Sequence, residues 1–167
     1  MSPRPNGRLH KTNGGFDLVI ERTFAGTLDD VWQSVTDPKR SARWFGAWEG
    51  EGGAGKTIRV QMAFEEGKPW FDSQIEACEP PHRLALHTKD EHGEWTLELL
   101  LSSEGERTKL TFVYHLKDLK GVDSTGPGWE YYLDNLDAAY RDQPLPKFTD
   151  YYPSQKEYFA KLAEALG

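Results

Sequence analysis

Three groups of residues in this chain have types and spacings that can do chemistry. The first is Gly50-Glu51-Gly52-Gly53-Ala54-Gly55-Lys56-Thr57, with the glycine, four residues, then Gly-Lys-Thr of a phosphate-binding loop. In such a loop backbone N–H groups cradle phosphates, the lysine meets the terminal phosphates and the hydroxyl holds Mg²⁺. The geometry needs a buried strand before the loop and a helix after it. Here Arg43-Trp44-Phe45-Gly46-Ala47-Trp48-Glu49 precedes, which is no such strand, and the residues that follow alternate with period two. The match is read as a false positive, a glycine-rich lead into a strand. The second group is the titratable set. His10, His82, His87, His92 and His115 show no zinc spacing, and His87 and His115 fall opposite their strands' main apolar sets. Cys78, between Ala77 and Glu79, carries no nucleophile signature and reads as a small half-buried residue. No nucleophile elbow or glycosidase-like carboxylate pair stands out. No catalytic residue, metal or cofactor is assigned.

The third group is aromatic. Trp129, Tyr132, Leu133, Leu136 and Tyr140 recur at helical spacing and share one face, with Glu130, Asp134, Ala138 and Arg141 on the other. Gly126-Pro127-Gly128 suits the start of that helix, so it is predicted over 128–141. Such a broad, partly polar wall needs an equally broad partner, and the preceding hundred residues supply one.

Residues 1–15 are rich in Pro, Gly and charge and read as a flexible tail. Phe16 to Phe24 reads as a strand with Leu18, Ile20 and Phe24 on one parity. Leu28, Val31, Trp32 and Val35 make a short helix capped by Thr27, and Asp37-Pro38 starts another. The pattern then alternates: Ile58, Val60, Met62 and Phe64; Phe71, Ile75 and Ala77; Leu84 and Leu86; Trp95, Leu97, Leu99 and Leu101; Leu110, Phe112 and Tyr114. Consecutive amphipathic strands with short turns predict an antiparallel meander. Most acidic residues lie on the outward parities. Past Arg141, a Pro-containing linker leads to Ser154-x-x-Glu157, a capping-box pattern, and a last amphipathic helix. The candidate cavity set is therefore Met62, Phe64, Phe71, Trp95, Phe112 and Tyr114 from the strands, with Trp129, Tyr132, Leu133 and Leu136 from the helix. The bland reading of the same residues is core.

Composition bounds the function. The chain has 167 residues, enough for one domain with a real core, and 13% aromatics. Its net charge of −7 argues against nucleic acid and anionic membranes as partners. A single cysteine allows no intrachain disulfide, which fits a cytoplasmic location. Neither a secretory signal nor a membrane span is expected.

Several of these stretches resemble a known family. Phe24-Ala25-Gly26-Thr27-Leu28-Asp29-Asp30-Val31-Trp32, Val35-Thr36-Asp37-Pro38 and Arg43-Trp44-Phe45-Gly46 look like the N-terminal signature of the activator of heat-shock-protein-90 ATPase homologue-like family, within the SRPBCC superfamily. Gly52-Gly53 before a strand ending in Met62, Glu79-Pro80-Pro81-His82-Arg83-Leu84 and Gly128-Trp129-Glu130-Tyr131-Tyr132-Leu133 also match, in the family order. The resemblance implies an α+β helix-grip, START-like fold: a curved antiparallel sheet around the long C-terminal helix, two short helices after the first strand, and an extra terminal helix. The domain then covers 16–141, with 142–167 as an extension packed on it. The family often has His at the end of the last strand; Tyr114 holds that position here. The resemblance implies a cavity for a small hydrophobic molecule such as a lipid, polyketide or aromatic, in a monomer or homodimer. Alternatives are a cyclase or dehydratase, and an interaction module like that of co-chaperone relatives.

Overall fold

The computed structural model describes residues 3–90 and 93–167. Eight strands form one antiparallel sheet: β1 (Arg8–Lys11), β2 (Phe16–Phe24), β3 (Trp48–Glu49), β4 (Thr57–Gln61), β5 (Trp70–Glu79), β6 (Arg83–Asp90), β7 (Gly93–Glu104) and β8 (Arg107–Leu116). Their spatial order is β1-β2-β8-β7-β6-β5-β4-β3. The helices are α1 (Leu28–Thr36), α2 (Pro38–Ser41), α3 (Val122–Tyr140) and α4 (Lys156–Leu166). Strands β4 to β8 are sequential neighbours. The α1–α2 segment carries the chain from β2 near one edge to β3 at the other.

Local chemistry sets the short helices. The Thr27 hydroxyl accepts from Asp30 N–H at 3.2 Å, capping α1. The Asp37 carboxylate accepts from Lys39 and Arg40 N–H, each at 3.1 Å, and Pro38 opens α2. Along β2, Leu18, Ile20 and Phe24 are almost wholly buried, as are Leu110 and Phe112 of β8. Period-two patterning thus puts one apolar face of the sheet against α3.

Four expectations are corrected. Part of the expected tail is a strand: β1 pairs with β2 in register from Arg8↔Val19 to Lys11↔Phe16, and Leu9 is buried. Polar composition hid this, because the strand is held by main-chain bonds and by a partner far along the chain. The long helix begins at Val122, six residues earlier than predicted, after Gly121 in the left-handed region (φ 78°). Gly126 and Pro127 lie inside it. Gly126 is needed for close approach, since a Cβ there would sit 2.5 Å from the Phe159 ring. The Ser154–Glu157 capping box does not form. Ser154 instead donates to the Asp150 carbonyl, and α4 starts at Lys156 without a side-chain cap. Finally, β4 ends at Gln61, and a β-bulge between Ile75 and Ala77 resets the parity of β5.

The polar face of α3 is covered rather than solvated. Glu130 is fully buried. Its carboxylate accepts from the Arg22 guanidinium at 2.7 Å and from the backbone N–H groups of Asn6 (2.6 Å) and Gly7 (2.7 Å). Arg22 also donates to Asp134 at 2.9 Å, and Asp134 accepts from the Tyr151 hydroxyl at 2.6 Å. Tyr158 of α4 donates to the Gly7 carbonyl at 2.8 Å, and Gln155 to the Pro3 carbonyl at 3.1 Å. Burial pulls the Arg22 guanidinium down, but Asp134 and Glu130 more than offset it, so its pKa is raised. Burial and the bond to Asp134 push the Tyr151 phenol up.

The outer face of the sheet carries a cross-strand charge ladder. His115 Nδ1 lies 2.7 Å from Asp17 and Nε2 2.7 Å from Glu98; Glu98 in turn accepts from Arg83 Nε at 2.9 Å. Both ring nitrogens can donate only in the imidazolium form. Burial lowers the His115 pKa, but the carboxylates of Glu98 and Asp17 outweigh it and raise it. Burial likewise works against Glu98, whose carboxyl is nonetheless lowered by His115 and Arg83.

Two measurements follow from these contacts. Glu130→Ala leaves the Arg22 charge short of a partner and removes the acceptor for two N–H groups. It is expected to cost about 3–5 kcal/mol in urea unfolding and to free the amides of Asn6 and Gly7 for hydrogen exchange. The ladder is pH-dependent with a defined sign. A raised folded pKa means the His115 contribution is complete below its unfolded pKa of about 6.5 and is lost as pH rises through the folded value. The Glu98 contribution is present above its unfolded pKa and lost as pH falls through its depressed one. The Tm gap between the wild type and His115→Gln is therefore expected to be wider at about pH 6 than at about pH 9. An equal gap at both pH values contradicts the ladder.

Candidate functional site

Between the inward face of the sheet and the first half of α3 lies a cavity of about 490 Å³. That volume falls within the range of small-molecule sites. Its floor comes from alternate residues of β4 to β8, because period-two strands send every second side chain inward. Ile58, Val60, Ile75, Leu84, Leu97 and Leu99 form this apolar base.

Aromatic side chains make the walls. Trp129 of α3 stacks on Phe45 from the segment after α2, at 5.8 Å between centroids and 5° between planes. Trp129 also meets Phe112 at 4.4 Å and Tyr114 at 6.0 Å. Tyr132 packs on Phe45 at 4.8 Å, and Phe71 faces Trp95 at 6.3 Å. Two further tryptophans are locked by main-chain bonds: Trp44 Nε1–H donates to the Ser34 carbonyl at 3.0 Å and Trp48 Nε1–H to Thr36 at 2.8 Å. Satisfied indoles at fixed angles give the walls a definite shape.

Polar atoms are few. Thr88 donates to Ser73 at 3.1 Å on the floor, so each hydroxyl is engaged. The bulge in β5 turns Cys78 toward the cavity. The Tyr132 hydroxyl donates to the carboxylate of Glu65, on the loop joining β4 to β5. Burial first, and then this bond, pushes the Tyr132 phenol upward. Burial alone pushes Tyr114 up to about 12, and its hydroxyl makes no hydrogen bond among the described residues. Tyr114 therefore holds an unengaged O–H donor on the cavity wall.

Seven of the ten sequence-predicted residues line the cavity: Met62, Phe71, Trp95, Phe112, Tyr114, Trp129 and Tyr132. Three do not. Phe64 sits in the loop after β4, beside Tyr132 at 6.5 Å, because the strand ended before its parity could count. Leu133 and Leu136 are 0% and 1% exposed and belong to the core. At 100° per residue the helix turns them onto the stripe beside Trp129 and Tyr132, where the sheet closes on α3 without a gap. Sequence reasoning missed Trp48, Glu65, Ser73, Thr88 and the inward turn of Cys78. Ser73 and Thr88 had a readable signal, since they share inward parity with Phe71 and Leu86. Glu65 lies in a loop, where no periodicity operates.

The glycine-rich segment also borders the cavity, through Gly52 and Gly53. It leads into strand β4, not a helix. Lys56 lies 3.6 Å from Glu51, and Gly55 N–H donates to the Ile75 carbonyl at 2.7 Å. These contacts belong to a sheet edge and not to a phosphate cradle.

The profile of the family described as "Activator of Hsp90 ATPase homolog 1-like protein" matches residues 25–141, most of the chain. The chain belongs to that family. The match runs from the end of β2 to the end of α3 and so includes every cavity wall. Among solved structures, the crystal structure of CalU16 from Micromonospora echinospora superposes with a TM-score of 0.77 at 26% identity, covering 96% of this chain and 97% of that one. DynU16, described as a protein in the dynemicin biosynthetic locus, gives 0.67 at 25% identity over 79% of this chain and 50% of its own. A protein from Bordetella parapertussis gives 0.73 at 21% identity, covering 96% of this chain and 94% of its own, and shares the fold. No curated protein sequence matches. The helix-grip fold of this Hsp90-activator-like chain is thus shared with CalU16 over 96% of its length. Among the described residues, no helix is long and apolar enough to cross a membrane.

The two stripes of α3 separate experimentally. Leu133→Ala is expected to lose about 2–5 kcal/mol of unfolding free energy, as a buried core truncation does. Urea denaturation checks this; a loss under about 1 kcal/mol would return Leu133 to the cavity wall.

Proposed function

We propose that this Hsp90-activator-like protein is a binding protein for a small, largely apolar molecule carrying aromatic rings. The observation that carries the reading is the cavity of about 490 Å³ walled by aromatic side chains, with the Trp44 and Trp48 indoles fixed by main-chain bonds. Rigid aromatic walls pair well with flat ligands, in stacked or edge-on geometry. The Tyr114 hydroxyl is the polar handle, a donor aimed at one oxygen of the guest. CalU16 and DynU16 share the fold, and the description of DynU16 places that protein in a biosynthetic locus for a small molecule.

The polar groups do not converge as acid and base on one reacting centre. Ser73 and Thr88 bond each other on the floor, whereas Tyr132 and Glu65 bond each other at the loop. Binding is therefore the favoured reading over cyclase or dehydratase chemistry, which needs a positioned proton donor or acceptor within reach of substrate.

Native mass spectrometry of freshly purified protein is expected to show a bound small molecule alongside the 19.0 kDa chain. A guest at 100 times its Kd should add about 2.7 kcal/mol to stability and raise Tm. Trp129→Ala, which opens the wall, is expected to weaken binding by roughly tenfold. If a broad panel of lipids and polyaromatics leaves Tm unchanged and no molecule copurifies, the proposal fails.

A further inference from the structure

The charges around the cavity are one-sided. Among the described lining residues there is no Lys, Arg or His, and one carboxylate, Glu65. The loop after β4 also carries Glu66 and Lys68, but neither lines the cavity. Glu65 is exposed at the rim, and its carboxylate is fixed by the hydroxyl of Tyr132. The Tyr132 ring that carries this hydroxyl belongs to a cluster with Phe45 and Trp129, the three rings within 4.8 to 5.8 Å of one another. Aromatic faces are the negative regions of their rings and attract a cation, tryptophan best of all. An anionic guest meets the opposite situation. Such a guest finds neutral donors such as the Tyr114 hydroxyl, but no cationic side chain is present among the described lining residues to offset the cost of burying its charge. The net charge of −7 adds a field that draws cations and repels anions.

We infer that the guest of this cavity is an amine: a cationic ammonium held at the rim between the Glu65 carboxylate and the Trp129–Tyr132 faces, with its aromatic body inside. This rests on the binding reading above and narrows it, since it sets fatty acids and other carboxylates aside. Geometry divides the labour. The apolar body takes the floor, where only contact is on offer. The charged end stays at the rim, where water completes its solvation and desolvation costs little. Glu65 is then the residue that determines specificity, and Trp129 supplies both stacking and charge recognition.

Three probes with one ring system test this by isothermal titration calorimetry: naphthylmethylamine, naphthylmethanol and naphthoic acid. The amine is expected to bind about three- to tenfold tighter than the alcohol at low salt, with the acid weakest. Glu65→Gln, which keeps an acceptor for the Tyr132 hydroxyl but removes the charge, should erase the difference between amine and alcohol by weakening the amine. Raising the salt should shrink the difference in the wild type. Equal affinity for amine and alcohol in the wild type, or a preference that survives in Glu65→Gln, overturns the charge selection and leaves the cavity reading standing. If none of the three probes binds, the amine inference is overturned, and the binding reading is decided separately by copurification and the broad ligand panel.

Discussion

One buried carboxylate holds this molecule together. Glu130 sits on the face of α3 turned away from the cavity, with no contact with solvent. An unpaired carboxylate there would be prohibitive, so its oxygens must be met. Arg22 of β2 supplies charge, and the backbone of Asn6 and Gly7 supplies two further donors. These partners come from two places, β2 and the segment just before β1. The bond to Arg22 ties α3 to the sheet, while the bonds to Asn6 and Gly7 tie down the N-terminal segment. That segment in turn extends the sheet by a strand and offers its carbonyls to α4. Ion pairs of this kind contribute little net stability compared with an apolar substitute, but they are intolerant of misplacement. The pair therefore fixes where α3 lies across the sheet.

That fixed position accounts for the cavity. The second half of α3 presses Leu133 and Leu136 into the sheet, and those residues are wholly buried. The first half, before the helix reaches the Glu130 anchor, carries Trp129 and the small residues Ser124, Thr125 and Gly128. Wide aromatic rings beside short side chains cannot fill the volume over β4 to β7, and a space remains. The aromatic cluster of Phe45, Phe112, Trp129 and Tyr132 props its walls open through ring-to-ring contacts. Stability and vacancy thus come from one helix, divided along its length.

The sequence made much of this legible. The strand parities of Leu18, Ile20, Leu110 and Phe112 emerged intact because period-two burial is local and repeated. Thr27 and Asp37 were readable as caps because a cap is a contact within three residues. The stripe of Trp129 and Tyr132 was readable because helical spacing decides who shares a face. The reading faltered where contacts span the chain. Gly126 and Pro127 looked like the start of a helix, and only the ring of Phe159, far along the sequence, explains a glycine inside it. Ser154 and Glu157 had a capping pattern, yet Asp150 took the serine instead.

What the sequence by itself determined is therefore the set of faces: which residues of each strand and helix point together, and that a large aromatic face must meet a sheet. Those properties follow from backbone periods of two and 3.6 and need no knowledge of neighbours. Only the tertiary structure decided which polar groups are buried and where the faces fail to touch. Arg22 sits among inward residues of β2, and Glu130 sits on a face that looked solvated; neither makes sense until the two meet 2.7 Å apart. A cavity is likewise a property of the gap between elements. It depends on the angle and distance at which α3 is held, which no single segment encodes.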